Sequence, residues 1–263
     1  MNEFSKGQQL YLRRLRRHHR IVIISRVLIL ILFLLLWEIT ANTGLIDSFI
    51  FSSPSRVAEC FWEMVIDKTI FLHIGVTLYE IIVSFLLVTF FSILIAVILW
   101  YSRKLSEILD PYLVVLNSLP KSALAPLLIV WLGANETTII VAGMSVAIFG
   151  SILNLYTSFT SIDEEKIKLI YTLRGTKRHV LSKVILPGSI PVIISNMKVN
   201  IGLSLVGVIA GEFLVSKAGL GYLIVYGGQV FQLDLVMASV VVLCVLAALM
   251  YYAVAAVEKR LTR

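Results

Sequence analysis

The sequence predicts an all-α membrane protein, with six transmembrane helices and a long polar loop on the cytoplasmic face between helices 4 and 5. Three observations carry this. First, 59% of the 263 residues are hydrophobic and 15% charged, with mean hydropathy +0.93. A soluble domain carries about 25% charge, so the apolar surface exceeds what one compact core could hide and lipid must be the main solvent. Second, six apolar runs lie near or above the ~20 residues a helix needs to cross hydrocarbon. Third, Lys and Arg concentrate on one side of those runs. An ordinary soluble enzyme and a disordered chain are excluded. The net charge of +7 would suggest nucleic acid in a polar chain; here the placement of the cations points to a membrane, and no nucleic-acid partner is expected.

Taken in order, residues 1–20 form a basic tail and 21–41 the first transmembrane helix. Its apolar run, 21–37, exceeds the ~7–15 residues of a cleavable signal core, and Ile39-Thr40-Ala41 is a poor cleavage site, so it reads as an anchor that is kept. Arg26 can snorkel to the near interface. Residues 42–72 read as an external amphipathic connector, with a helix start at Ser52-Ser53-Pro54-Ser55 and a surface helix over 56–70. Residues 73–257 form a five-helix core with spans at 73–100, 108–132, 137–159, 188–215 and 233–257, interrupted by the loop 160–187. A tail, 258–263, closes the chain.

The placement of the cations orients the chain. The N-terminal tail holds six (Lys6, Arg13, Arg14, Arg16, Arg17, Arg20), the 101–107 loop two, the 160–187 loop six and the C-terminal tail three, seventeen on one side. The opposite loops hold Arg56, Lys68 and Lys217. Both termini and the 160–187 loop are therefore expected in the cytoplasm. Cys60 and Cys244 read as small hydrophobes, and His18, His19, His73 and His179 lack metal-ligand spacing. Neither a metal site nor a catalytic set is expected.

The 160–187 loop is the polar segment long enough to fold. Asp163-Glu164-Glu165 is an acidic helix start, Ile167, Leu169, Ile170 and Leu173 repeat at helical spacing, and Gly175 marks a sharp turn at positive φ before a second helix reaches Leu186-Pro187. This loop, with Gly175 and Val184-Ile185-Leu186-Pro187, resembles the ATPase-docking loop of ABC-importer permeases, although Leu169-Ile170-Tyr171 stands where the family has Glu-Ala-Ala. The likeness extends over roughly residues 50–257 and points to the nitrate/sulfonate/taurine-type branch. It rests on Ser53-Pro54-Ser55-Arg56-Val57, His73 to Leu78, Asp110-Pro111, Leu119-Pro120, Ala123 to Leu127, Trp131-Leu132-Gly133, Leu186 to Pro191, Gly211-Glu212 and Gly219-Leu220-Gly221, in the family's order.

The resemblance implies a bacterial inner-membrane permease subunit working as a dimer with a second permease copy, two cytoplasmic ATPase subunits and an external solute-binding protein. Its coupling residues would be Asp163, Leu169, Ile170, Tyr171, Gly175, Thr176, Leu186 and Pro187. The chain has no Gly-x-x-x-x-Gly-Lys-Ser/Thr loop, so no cofactor is expected in it; ATP and Mg belong to the partner ATPase. The solute implied is nitrate, bicarbonate, a sulfonate or taurine, or alternatively a thiamin-pyrimidine or riboflavin-like compound.

Polar groups at membrane depth mark a path or a packing contact, because a charge there costs about 2.5–3.5 kcal/mol on insertion scales. Glu80, Lys121, Lys198 and Glu212 qualify. Pro111, Pro120 and Pro126 break the third span, which places Asn117, Ser118, Pro120 and Lys121, with Glu212, as candidates for the solute path. The same features equally suit a kink with helix packing, and Lys121 either lines the path or a wet dimer seam. Gly202, Gly207 and Gly211 would let helices approach closely. A secondary transporter or channel would need inverted repeats or rows of intramembrane acids, and neither is present in the sequence.

Overall fold

The computed structural model describes residues 6–261; the ends of the two tails, residues 1–5 and 262–263, lie outside the described residues. By its internal contacts the chain forms two units, residues 1–63 and 64–263.

In the first unit α1, Lys6–Asn42, runs unbroken from the basic tail into the apolar run. Its apolar surface from Ile21 to Leu36 is almost wholly exposed, as a helix facing lipid would be. At its end Trp37 Nε1 donates to Phe51 O at 3.3 Å, closing the chain over the short helix α2, Ser48–Phe51. The Glu38 carboxylate accepts from Ser55 N at 3.0 Å and Ser55 Oγ at 2.8 Å. An acid placed there satisfies the orphan donors at the start of α3, Pro54–Ile66.

The second unit is built around α4, Thr69–Tyr101, α7, Glu136–Thr160, and α10, Leu186–Val215. Between α4 and α7 the chain makes α5, Arg103–Ser118, and α6, Lys121–Leu132; between α7 and α10 it makes α8, Glu164–Thr172, and α9, Lys177–Val180. After α10 come α11, Leu220–Gln229, and α12, Leu233–Leu261. Among the described residues, five helices are long and apolar enough to cross a membrane: Arg20–Asn42, Thr69–Tyr101, Glu136–Thr160, Lys177–Val215 and Leu233–Ala256. The expected third span, 108–132, is not one helix but α5 and α6 bent by 105°, so the count is six when that pair is taken as one span. The break falls at Leu119-Pro120, where Pro120 removes an N–H and holds its predecessor out of the α region.

The α7–α10 crossing is antiparallel and rests on small residues. A Cβ at Gly207 would lie 2.7 Å from Gly143 Cα, and one at Gly211 3.1 Å from Ile139 Cα. Gly143 in turn faces Ser84 of α4 and Val208 of α10. Gly202 does not share this role, since a Cβ there meets open space. Further along, Asn196 Nδ2 and Asn200 Nδ2 donate to Ser151 Oγ at 2.5 and 3.0 Å, and Asn154 Nδ2 to Asn196 Oδ1 at 3.1 Å. With no water to compete, such amide bonds and close van der Waals packing hold helices together in lipid.

The segment 216–232, left without an element between the expected spans 188–215 and 233–257, contains a helix, α11. Its ten residues are too few to span.

Candidate functional site

The polar loop is the first candidate. Asp163 caps α8, its carboxylate accepting from Glu165 N at 2.9 Å. The helix ends at Leu173, and Gly175 N donates back to Ile170 O at 2.8 Å. Arg174, not Gly175, takes the positive φ, at 57°. Gly175 is needed for proximity instead: a Cβ there would sit 2.7 Å from the Ile170 carbonyl. Thr176 caps α9 through a reciprocal pair, its backbone N–H donating to His179 Nδ1 at 3.0 Å.

The expected apolar stripe divides into two faces. Ile167, Ile170 and Leu186 pack inward against a core of Ala96, Leu155, Phe159, Val180 and Ile185. Leu169, Tyr171 and Leu173 stand outward, 59%, 46% and 72% exposed. Beyond α9 the helix passes through a π turn, Leu181–Ile185, in which Leu186 N reaches back to Leu181 O. That turn directly precedes Pro187, which has no N–H to continue the ladder. Of the eight residues expected for coupling, Asp163, Gly175 and Thr176 shape the loop, Ile170 and Leu186 anchor it, and Leu169, Tyr171 and Pro187 are exposed.

The break in the third span is the second candidate. Lys121 is half-buried and its Nζ donates to Asn117 O across the bend. A cation on the last carbonyls of α5 is placed where the helix macrodipole favours it. Ser118 Oγ bonds to Val114 O at 2.9 Å, and the Asn117 side chain abuts Gly150 of α7. Asn117, Ser118, Pro120 and Lys121 are thus brought together. Glu212 does not join them: its neighbour Gly211 packs on Ile139. Residues 139 and 150 of α7 stand about 16 Å apart at 1.5 Å per residue. Lys198, the remaining intramembrane cation, pairs with Glu258 at 2.5 Å.

Glu212 belongs to a third, buried cluster that only part of the sequence signalled. Its side chain is 1% exposed. Oε1 accepts from Thr77 Oγ1 at 2.6 Å and Oε2 from Gly221 N at 2.5 Å. Thr77 Oγ1 itself accepts from Leu220 N at 2.8 Å, and His73 Nδ1 from Gly219 N at 3.0 Å. Three side chains of α4 and α10 therefore cap the N-terminus of α11, where four backbone donors lack intrahelical partners. Gly219, at φ 116°, and Gly221 leave room for the carboxylate; a Cβ at Gly219 would lie 2.6 Å from Glu212 Oε1. Glu80, one turn beyond Thr77, is fully buried beside Glu212. His73 and Thr77 carried a signal only as parts of a motif. Their pairing across more than 130 residues was invisible to periodicity.

A helical membrane bundle with one folded polar loop and a broken span defines a transport subunit of the permease type. Residues 88–263 match the family described as the binding-protein-dependent transport system inner membrane component, and the chain belongs to that family. It is the permease subunit of an ABC importer. Among its relatives are a probable ABC transporter permease protein of Haemophilus influenzae, 28% identical over 89% of this chain and 95% of that protein. The taurine transport system permease protein TauC of Escherichia coli is 26% identical over 87% and 85%. Among solved structures, an inward-facing conformation of the MetNI methionine ABC transporter superposes with a TM-score of 0.66 at 19% identity. It covers 75% of this chain and 98% of that one, a likeness of fold.

Proposed function

We propose that this permease carries a small anionic or zwitterionic solute of the nitrate, bicarbonate, sulfonate or taurine kind. A second permease copy completes the path, two separate cytoplasmic ATPase subunits hold the ATP and Mg, and an external solute-binding protein delivers the solute. Both termini and the 160–187 loop face the cytoplasm, following the seventeen-to-three distribution of cations.

The observation that carries the reading is the loop. Leu169, Tyr171 and Leu173 form an outward apolar face on a helix whose other side is anchored in the core, and a polar, cation-rich segment has no reason to expose them unless a partner covers them. The name of the taurine permease relative supports the solute class. Asn117, Ser118, Pro120 and Lys121 line the path at the break, and Lys121 supplies its positive charge. Both carboxylate oxygens of Glu212 are occupied, so its part in transport runs through the seating of α11.

The test is reconstitution with the cognate ATPase and binding protein in proteoliposomes, followed by ATP-dependent uptake of labelled taurine, an alkanesulfonate, nitrate and bicarbonate beside riboflavin and formylaminopyrimidine. Uptake of the neutral compounds alone overturns the anion reading. Orientation is read separately: with Cys60 and Cys244 replaced by alanine, Leu173→Cys should resist an impermeant thiol reagent added outside intact cells, and rapid labelling reverses the topology.

A further inference from the structure

The first turn of the helix formed by α9 and α10 breaks a local rule. A helix N-terminus is the positive end of the macrodipole and favours acids, yet Lys177, Arg178 and His179 occupy that turn and no acid does. His179 is used in the cap of Thr176. Lys177 is used elsewhere. Its Nζ donates to Tyr101 O at 2.7 Å and lies 4.9 Å from the ring centroid of Tyr101 and 5.3 Å from that of Trp100.

Tyr101 is the last residue of α4. The ammonium therefore leaves the positive end of one helix for the negative end of another, and sits over two aromatic faces as it does so. Trp100 and Val97 of α4 also pack on the core that holds Val180, Ile185 and Ile170. Apolar packing alone is non-directional and lets helices slide. The hydrogen bond and the cation–π contacts add direction. The turn between α8 and α9 is where a displacement would otherwise be taken up, since α8 has no fully buried residue and is held by one partly buried face, Ile167 and Ile170.

We propose that Lys177 is a positioning residue of the transport cycle: a latch that fixes the docking loop to the end of α4, so that a loop displacement imposed by the ATPase is delivered to α4. Without it, the displacement is absorbed in the turn at residues 173–176. The proposal rests on the reading of this loop as the ATPase docking surface.

The experiment uses the permease assembled with its ATPase, with Cys60 and Cys244 replaced by alanine. Spin labels at Tyr79→Cys on α4 and Val241→Cys on α12, both exposed positions, report distance by pulsed EPR with and without ATP and vanadate. The parent complex is expected to show a nucleotide-dependent change. Lys177→Met should copurify with the ATPase and unfold at the same temperature, yet show less than half of that change; Lys177→Arg, which keeps the donor and the cation, should retain most of it. A change undiminished in Lys177→Met, one lost equally in Lys177→Arg, or none in the parent overturns the latch. Loss of ATPase copurification in Lys177→Met also overturns it, because Lys177 would then be a docking contact. Leu173→Asp tests the underlying reading separately: it should abolish copurification, and normal assembly of that variant removes the docking surface itself.

Discussion

Gly221→Ala tests whether the Glu212 carboxylate seats α11. An ideal Cβ at residue 221 lies 2.8 Å from Glu212 Oε2 and 2.9 Å from Glu212 Cβ, closer than real Cβ contacts come. The carboxylate cannot swing into solvent, being 1% exposed with Oε1 held by Thr77. If it retreats, it gives up the Gly221 N–H, a hydrogen bond to a charged group worth about 1.5–3 kcal/mol. If α11 shifts instead, overpacking costs about 1–3 kcal/mol. Some of each is expected, for a total of about 2–5 kcal/mol, or a fall in Tm of roughly 5–15 °C for a chain of this size. The assay is fluorescence-detected thermal unfolding of the purified protein, run as a double-mutant cycle with Glu212→Ala. In that background the contact with Oε2 and the hydrogen bond to the Gly221 N–H are already gone while the 2.9 Å contact with the Cβ of residue 212 stays, so Gly221→Ala should cost only the overpacking share, about 1–3 kcal/mol. Equal costs of Gly221→Ala in the two backgrounds would refute the contact as the reason for the glycine.

Three further outcomes are expected. Gly175→Val drives a branched side chain against the Ile170 carbonyl and should reopen the turn after α8, so ATPase copurification falls several-fold while the folded yield holds; normal assembly counts against the turn. Glu80→Gln removes a buried carboxylate whose own two oxygens have no donor among the described residues and puts an amide beside Glu212 instead, and should raise Tm by about 2–4 °C, the equivalent of roughly 1 kcal/mol; a lower Tm contradicts it. Lys121→Ala removes the cation from the end of α5, a loss of about 0.3–1 kcal/mol, and should also lower anion uptake per folded transporter, whereas Lys121→Arg keeps both; unchanged uptake in both variants takes Lys121 out of the solute path.

The parts of the fold legible in the sequence were those written locally. Five runs became helices because length and hydropathy suffice to specify a span, and cation placement orders them without any knowledge of packing. The prolines marked the break in the third span, but no local pattern encodes its angle of 105°. The ten residues of α11 fell below the length that registers as a span. The stripe at residues 167–173 was read as one face because a 3-to-4 spacing covers both sides of a short helix. Only the position of the core assigns Ile170 inward and Leu169 outward. Positive φ was expected at Gly175 on composition, while the turn placed it at Arg174 and used the glycine for closeness. The His73, Thr77 and Glu212 cluster joins residues far apart in the chain, which no periodic pattern encodes.

The Ser151 hydroxyl that receives two asparagine amides also bears on how the membrane bundle avoids a misfold. Asn196 and Asn200 are four residues apart, and so are Gly207 and Gly211. Sliding α10 by four residues, about 6 Å, would therefore keep one amide on Ser151 and one glycine in a notch on α7. That near-degenerate register is the error such a spacing invites, and one-turn ratchets of this size are known ways for helices to switch. It is blocked at the other notch. A slip in one direction brings Leu203 to the site of Gly207, where even a single Cβ would meet the Gly143 backbone at 2.7 Å; the opposite slip brings Val215 to the site of Gly211, against the Ile139 backbone. The asparagines thus define three candidate alignments, the native one and a slip in either direction, and the glycines reject both slips, so α7 and α10 assemble in a single register.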